Sequence, residues 1–192
     1  MENDFSPQES LQLIRDMISK TRSNISDNSF YFLFWGWLAF GCILLQFFLK
    51  VVLHYGHHYI VWLLIIPAVI ITIVHSARRQ KRHQARTYIG ESMGSLWMGV
   101  GISFFVLSVI ISSSEAGWLI AYPFFILFYG LGTFVSGRIL QFPPMVAGGI
   151  INWALAVAAA FVPYDYQMLL AAAALLTSYI IPGHLLKNLK NR

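Results

Sequence analysis

Residues 77–87 read ARRQKRHQART and contain five of the chain's 13 Lys and Arg residues. Long hydrophobic segments lie on both sides of this stretch. Basic stretches between apolar segments are typical of membrane proteins, in which Lys and Arg accumulate on the cytoplasmic side. We therefore interpret residues 77–87 as a cytoplasmic loop that fixes how the chain is threaded through a membrane. The five cations form a candidate surface for lipid headgroups or a protein partner: Arg78, Arg79, Lys81, Arg82 and Arg86.

The composition excludes an ordinary water-soluble domain. Hydrophobic residues make up 57% and charged residues 11% of the 192 residues, whereas soluble domains carry about 25% charged residues. The apolar runs are long enough for helices to cross about 30 Å of hydrocarbon. They do not alternate between polar and apolar residues, so a transmembrane β-barrel is not predicted. Because a helix satisfies its backbone amides within its own segment, the predicted fold class is all-α.

Six apolar segments follow a polar N-terminal region. Their predicted bounds are residues 29–49, 59–76, 92–111, 117–136, 143–161 and 166–186. We expect an all-α integral membrane protein with six transmembrane helices in three hairpins, preceded by a short amphipathic cytoplasmic helix. The predicted domains are an amphipathic helix and linker, a transmembrane domain and a basic cytoplasmic tail, over residues 1–28, 29–186 and 187–192.

The distribution of positive charge predicts the orientation. If the N-terminus is cytoplasmic, 12 of the 13 Lys and Arg residues fall on the cytoplasmic side, and Lys50 alone falls on the other. Such asymmetry places both termini in the cytoplasm and agrees with an even number of spans. The first 28 residues carry charges of both signs and no apolar core, so a cleavable signal peptide is not predicted. We expect a multi-pass membrane protein.

The N-terminal region contains the predicted amphipathic helix. Residues 6–9 read SPQE, with the serine, proline and glutamate of a helix-capping box. Apolar residues follow at helical spacing, with charged and amide residues between them. This apolar stripe is a candidate docking face for the membrane surface, for the rest of the bundle or for another protein. Its main residues are Leu11, Ile14 and Ile18.

Two segments indicate an internal repeat. Residues 62–67 read WLLIIP and residues 118–123 read WLIAYP. Both begin with tryptophan, and both carry a proline five positions later. The pattern is compatible with duplication of a two-helix unit. The alternative is that interfacial tryptophans recur in unrelated membrane helices.

The predicted spans contain almost no ionisable residues. Charged groups inside hydrocarbon usually mark functional sites, so their scarcity argues against a transporter that works with a buried carboxylate. We interpret the deepest polar residues as helix–helix hydrogen-bonding groups and the glycines at 99, 101, 130, 132, 148 and 149 as close helix contacts. Those polar residues are Gln46, Thr72, Ser103, Ser108, Asn152 and Thr177.

Residues 54–58 read HYGHH and are the strongest metal-like pattern. Imidazoles at this spacing can bind zinc or copper, but no cysteine lies nearby, so we interpret the segment as a polar interfacial loop. The single cysteine, Cys42, is predicted to be a buried structural thiol. No nucleophile–base pair or phosphate-binding motif is visible. We therefore predict no enzyme activity, no cofactor and no catalytic or metal site.

Four stretches carry a resemblance that covers most of the chain. They are ESLQLIRDMISKTRSN, FYFLFWGWLAF, FFILFYGLGTFVSGRILQF and YQMLLAAAALLTSYIIPGHLLK. In these stretches the chain resembles a family of uncharacterised small bacterial integral membrane proteins with six helices, often encoded beside a winged-helix transcriptional regulator. The resemblance implies an inner-membrane location and a pairing with such a regulator. It implies no activity and no functional residues.

The sequence favours a non-enzymatic membrane sensor or scaffold. Its cytoplasmic face would contact membrane lipids or a cytoplasmic protein, for which the resemblance suggests the winged-helix regulator. Direct nucleic-acid binding is not predicted, because the basic stretch has no aromatic residue for base stacking, and a homo-oligomer is left open. The alternative function is a small-solute or lipid transporter or channel, with a path lined by Gln46, Tyr129, Thr133 and Asn152.

Overall fold

The computed structural model describes residues 29–82, 88–115 and 117–189, which form helices and turns without any strand. The predicted all-α class is confirmed for these residues. Five helices are long and apolar enough to cross a membrane, and a sixth apolar helix is shorter. This part of the chain therefore has the make-up of a multi-pass membrane protein. The predicted amphipathic helix, with Leu11, Ile14 and Ile18, lies outside the described residues.

The six helices follow one another with short connections. They are α1 (Ser29–Val52), α2 (Ile65–Arg82), α3 (Tyr88–Ser112), α4 (Ala121–Ile139), α5 (Pro143–Ala159) and α6 (Tyr164–Asn188). We call the end of the bundle that contains Arg78, Arg138 and Lys187 the basic end. The opposite end, which contains His54, His57 and His58, is the histidine end.

Three predicted boundaries differ from those of the helices. The prediction of a loop over residues 77–87 fails in its first part, because α2 continues through Arg82. Alanine, arginine, lysine and glutamine are strong helix formers, so the helix does not stop where the apolar run stops. The last helix likewise continues to Leu189, into the predicted basic tail. At the fifth span the helix ends at Ala159, which makes α5 the shorter apolar helix.

Three of the prolines inside predicted spans follow a segment of non-α helical geometry. Pro67 and Pro123 are the third residues of α2 and α4, which follow 3-10 segments at His58–Leu64 and Gly117–Ile120. Pro182 follows a π-helical segment at Leu176–Ile180. Proline lacks an N–H and clashes with the preceding turn of a regular α-helix, so these segments supply the altered geometry that it needs. The two tryptophan–proline repeats thus adopt the same local structure.

Among α2 to α6 as the structure describes them, the most extensive helix interface is between α4 and α5. At Gly149 of α5, an added Cβ would lie 2.7 Å from the Phe134 Cβ and 2.8 Å from the Gly130 carbonyl oxygen, both in α4. At the adjacent Gly148, an added Cβ would lie 2.8 Å from the Thr177 carbonyl oxygen in α6. These glycines let the α5 backbone approach both neighbours more closely than any side chain would allow.

The remaining helices lie around this α4–α5–α6 core. Helix α1 contacts α6 at Gly36, where an added Cβ would lie 2.9 Å from the Tyr179 Cβ. Helix α2 packs on α1, and the ring of Phe30 stacks on His75 with 4.5 Å between centroids. Helix α3 packs on α4. In the most apolar stretch of α2 and of α3, only 11% of the residues are buried, against 56% in α6. Helices α2 and α3 are therefore peripheral.

The glycines of α3 differ from those of the core. Gly99 and Gly101 have no atom within 4 Å of an added Cβ, and Gly41 of α1 is equally open. The predicted role in close helix contact is therefore wrong for Gly99 and Gly101. It is right for the pairs in α4 and α5, at positions 130, 132, 148 and 149.

We expect Gly149→Ala to destabilise the bundle. The new methyl group would press on the α4 backbone, and overpacking of this kind costs about 1–3 kcal/mol. The apparent melting temperature in detergent should fall by several degrees. The matched control is Gly101→Ala, which adds the same methyl group in open space and should leave that temperature unchanged or slightly raised, since alanine is the better helix former. Equal melting of the two variants would contradict this interpretation of Gly149.

Candidate functional site

The largest polar cluster in the described chain is centred on Gln46 at the histidine end. This residue of α1 is only 2% exposed. Its Oε1 accepts hydrogen bonds from Trp62 Nε1 at 2.6 Å and from the Tyr122 hydroxyl at 2.8 Å. Its Nε2 lies 3.1 Å from His58 Nδ1 and donates to the Tyr164 hydroxyl at 3.3 Å. An amide can make four such bonds, so the Gln46 side chain is saturated.

The direction of these bonds fixes the state of His58. Indole N–H is only a donor, so the Gln46 atom facing Trp62 must be the oxygen. The Gln46 amide nitrogen then faces His58 Nδ1, which has to accept. His58 is therefore a neutral imidazole that carries its proton on Nε2.

A second polar pair closes the same end. Lys50 of α1 forms a salt bridge with Asp165 of α6, and its ammonium group lies 4.6 Å from the centre of the Tyr164 ring. Both side chains remain partly exposed, so the pair contributes little stability. The Asp165 carboxylate does neutralise Lys50, which is the one Lys or Arg residue that the predicted topology places on this side.

A separate polar group lies in the core of the bundle. Asn152 of α5 is fully buried and donates to Ser178 Oγ of α6 at 3.1 Å. Trp97 of α3 donates to Ser136 Oγ of α4 at 3.2 Å. The Oδ1 of Asn152 and the hydroxyls of Thr133 and Tyr179 are buried without a hydrogen-bond partner among the described residues. The group thus joins four helices without being fully satisfied.

The structure separates the residues predicted to line a transport path. Gln46 belongs to the cluster at the histidine end, whereas Asn152 and Thr133 lie in the core group. Tyr129 packs its ring on Phe104, with 4.9 Å between centroids. Each of these side chains hydrogen-bonds to or packs against a neighbouring helix, as expected for residues at helix–helix contacts.

The predicted basic surface is partly described. Arg78 is exposed at the basic end. The backbone of α2 contains the positions of Arg79, Lys81 and Arg82. Arg86 lies outside the described residues.

The three histidines of the HYGHH segment have separate surroundings. His58 bonds to Gln46, whereas His57 Nδ1 lies 2.9 Å from the Tyr59 hydroxyl. His54 adopts a left-handed backbone conformation with φ of 50°. Within residues 29–82, 88–115 and 117–189, no three metal-ligating side chains converge.

The partners of Gln46 were not predicted. Trp62, Tyr122 and Tyr164 have the polar-edged rings that mark a membrane interface, and nothing in their spacing distinguishes an interfacial ring from one that bonds inward. The sequence alone does indicate that Gln46 needs hydrogen-bond partners, because its amide lies in the middle of an apolar run.

We expect acidification to loosen the Gln46 cluster through His58. Protonation would turn the His58 Nδ1 from an acceptor into a donor, which would face the donor nitrogen of the Gln46 amide. The stability that this hydrogen bond contributes is therefore present at high pH and lost as the pH falls. The charged groups beside the imidazole are Lys50 and Asp165. The relevant range is pH 8 to pH 5, in which an ordinary imidazole takes up its proton. The apparent melting temperature of the wild type should therefore drop across this range.

Two single substitutions test the assignment to His58. His58→Gln cannot titrate, so its melting temperature should depend less on pH than that of the wild type. His57→Gln removes the neighbouring exposed imidazole, which does not contact Gln46, and should retain the full dependence. If His58→Gln and His57→Gln follow the same pH profile, His58 is not the group responsible.

Comparison with known proteins adds no family or functional relative. The chain matches no family model, and neither curated proteins nor solved structures give a significant match. The functional interpretation therefore depends on the residues and their arrangement.

Proposed function

We propose that this protein is a non-enzymatic integral membrane protein of the bacterial inner membrane that acts as a sensor or scaffold. In this proposal six helices cross the membrane as three hairpins, and both termini lie in the cytoplasm. A cytoplasmic protein binds the basic end. By the family resemblance, that partner is a winged-helix transcriptional regulator.

The observation that carries the proposal is the uneven distribution of charge between the two ends. Arg78, Arg138 and Lys187 are exposed at the basic end. The cation at the opposite end, Lys50, is neutralised by Asp165. Positive charge on one side is the property that orients multi-pass proteins. Among the described residues, it also leaves the basic end as the surface with unneutralised positive charge for a partner.

The extension of α2 supports a docking role for this end. The helix continues beyond the apolar run and contains the positions of Arg78, Arg79, Lys81 and Arg82. A helical segment presents such positions at fixed spacing, and preorganisation lowers the entropy cost of binding. The predicted amphipathic helix, with Leu11, Ile14 and Ile18, would lie on the same side and complete the surface.

The choice of scaffold over transporter is supported by the packing around Asn152. This side chain is 0% exposed and bonds to Ser178. An added Cβ on Gly130 would lie 3.0 Å from the Asn152 Cβ. A solute path past Asn152 would have to separate α5 from α4 or from α6 at these contacts.

Cysteine labelling tests the orientation. In a Cys42→Ser background, Gly56→Cys places a thiol at the histidine end and Gln80→Cys places one at the basic end. A membrane-impermeant maleimide should label position 56 in intact cells, and position 80 only after the membrane is opened. Ready labelling of position 80 in intact cells would overturn the proposed topology.

Crosslinking mass spectrometry on native membranes tests the docking surface. With a lysine-reactive reagent, a cytoplasmic protein should crosslink to Lys187 and not to Lys50. Changing Arg78, Arg79, Lys81 and Arg82 to glutamine, or deleting residues 1–28, should each remove most of these crosslinks. Lys50→Gln is the control and should retain them. If both basic-end variants keep the wild-type crosslinks, the proposed docking surface is wrong.

A further inference from the structure

An open cleft lies at the basic end, where the chain turns from α4 into α5. Its volume is about 610 Å³, which falls within the range of small-molecule sites. Its lining includes Arg138 and Gln141 at the turn. It also includes Phe142, Val146 and Ile150, and because α5 leads away from the basic end, we call the part along α5 the inner part. The cleft is separate from the Gln46 cluster and from the extension of α2.

The turn holds Gln141 in an unusual conformation. The Phe142 amide donates to the Gly137 carbonyl at 2.8 Å, and the Gln141 amide donates to the Arg138 carbonyl at 3.3 Å. This is the Schellman pattern of a helix C-terminus, in which the left-handed position is normally glycine. Gln141 has a φ of 51°, and a left-handed residue with a side chain costs about 1 kcal/mol. The chain therefore retains a strained glutamine at the rim of the cleft.

Arg138 brings an uncompensated positive charge to the same rim. Its side chain is exposed, and no acidic side chain in the described ranges pairs with it. It lies in the last turn of a helix long enough to cross a membrane, which is the level of the lipid headgroups. A guanidinium presents N–H groups in a fork that fits a phosphate.

The inner part of the cleft is apolar. Val146 and Ile150 are four residues apart on α5, and Ile150 is 52% exposed. Helical residues at this spacing share a face. The cleft thus presents a cation and an amide at the headgroup level and apolar side chains beneath them. This polarity matches that of a phospholipid molecule.

We propose that the cleft binds one anionic phospholipid, with its phosphate at the Arg138 guanidinium and the Gln141 amide. The glycerol and the first part of an acyl chain lie against Val146 and Ile150. This is a defined site, in contrast to the diffuse attraction of a basic surface for anionic lipids. It does not depend on the proposed cytoplasmic partner.

Native mass spectrometry of the full-length protein in detergent tests the site. Phosphatidylglycerol should bind in a saturable 1:1 complex, and phosphatidylcholine should bind far more weakly. Arg138→Gln should weaken phosphatidylglycerol binding by about tenfold, as expected for loss of a charge-assisted contact. The control is Lys50→Gln, which removes a cation at the histidine end, far from the cleft, and should bind like the wild type. Equal losses in both variants, or no loss with Arg138→Gln, would overturn the proposal.

Gln141→Gly distinguishes a role in lipid binding from a purely structural role, because stability and lipid affinity should change in opposite directions. The substitution relieves the left-handed strain, so the melting temperature without lipid should rise. It also removes the amide, so phosphatidylglycerol affinity should fall despite the greater stability. A rise in both would refute a binding role for Gln141. Inorganic phosphate at millimolar concentration should not displace the lipid, and displacement would show that the cleft takes free phosphate instead.

Discussion

The distance between α4 and α5 is the constraint on which the rest of the bundle depends. Lipid tails are as apolar as leucine, so membrane helices gain little from hiding apolar surface and associate through close packing. At Gly149 the two backbones approach so closely that a methyl group would not fit. Gly148, on the opposite side of the same turn, gives α6 an equally close approach. Helix α5 is thus held between two neighbours by two consecutive glycines.

The other three helices are attached by different kinds of contact. Helix α1 reaches it through Gly36 against Tyr179 and through the hydrogen bonds of Gln46. Helix α3 uses large aromatic side chains instead, because Trp97 fills the space above Gly132 and Phe104 packs on Tyr129. Helix α2 touches mainly α1. The order of burial among the helices follows from these attachments.

Hydropathy was sufficient to predict the class and the approximate spans, because the length of an apolar run is set by the thickness of the hydrocarbon. It could not distinguish Gly149 from Gly101. The sequence does not show which glycine faces another helix and which faces open space. It also placed the end of α2 too early, because arginine and lysine end an apolar run but do not end a helix. The Gln46 cluster was predicted only in part. One amide was visible, but its four partners come from one nearby segment, His58–Leu64, and from two segments far along the chain.

The strained turn after α4 follows from the same packing. Gly137 lies against Val146 and Met145, with an added Cβ only 2.7 Å from the Val146 amide nitrogen, so α5 must begin immediately beside the end of α4. A connection this short has to reverse through a left-handed residue, and that residue is Gln141. Glycine would meet the backbone requirement at lower cost. The proposed phospholipid contact gives a reason for a glutamine at this position, since Gln141 and Arg138 both line the open cleft.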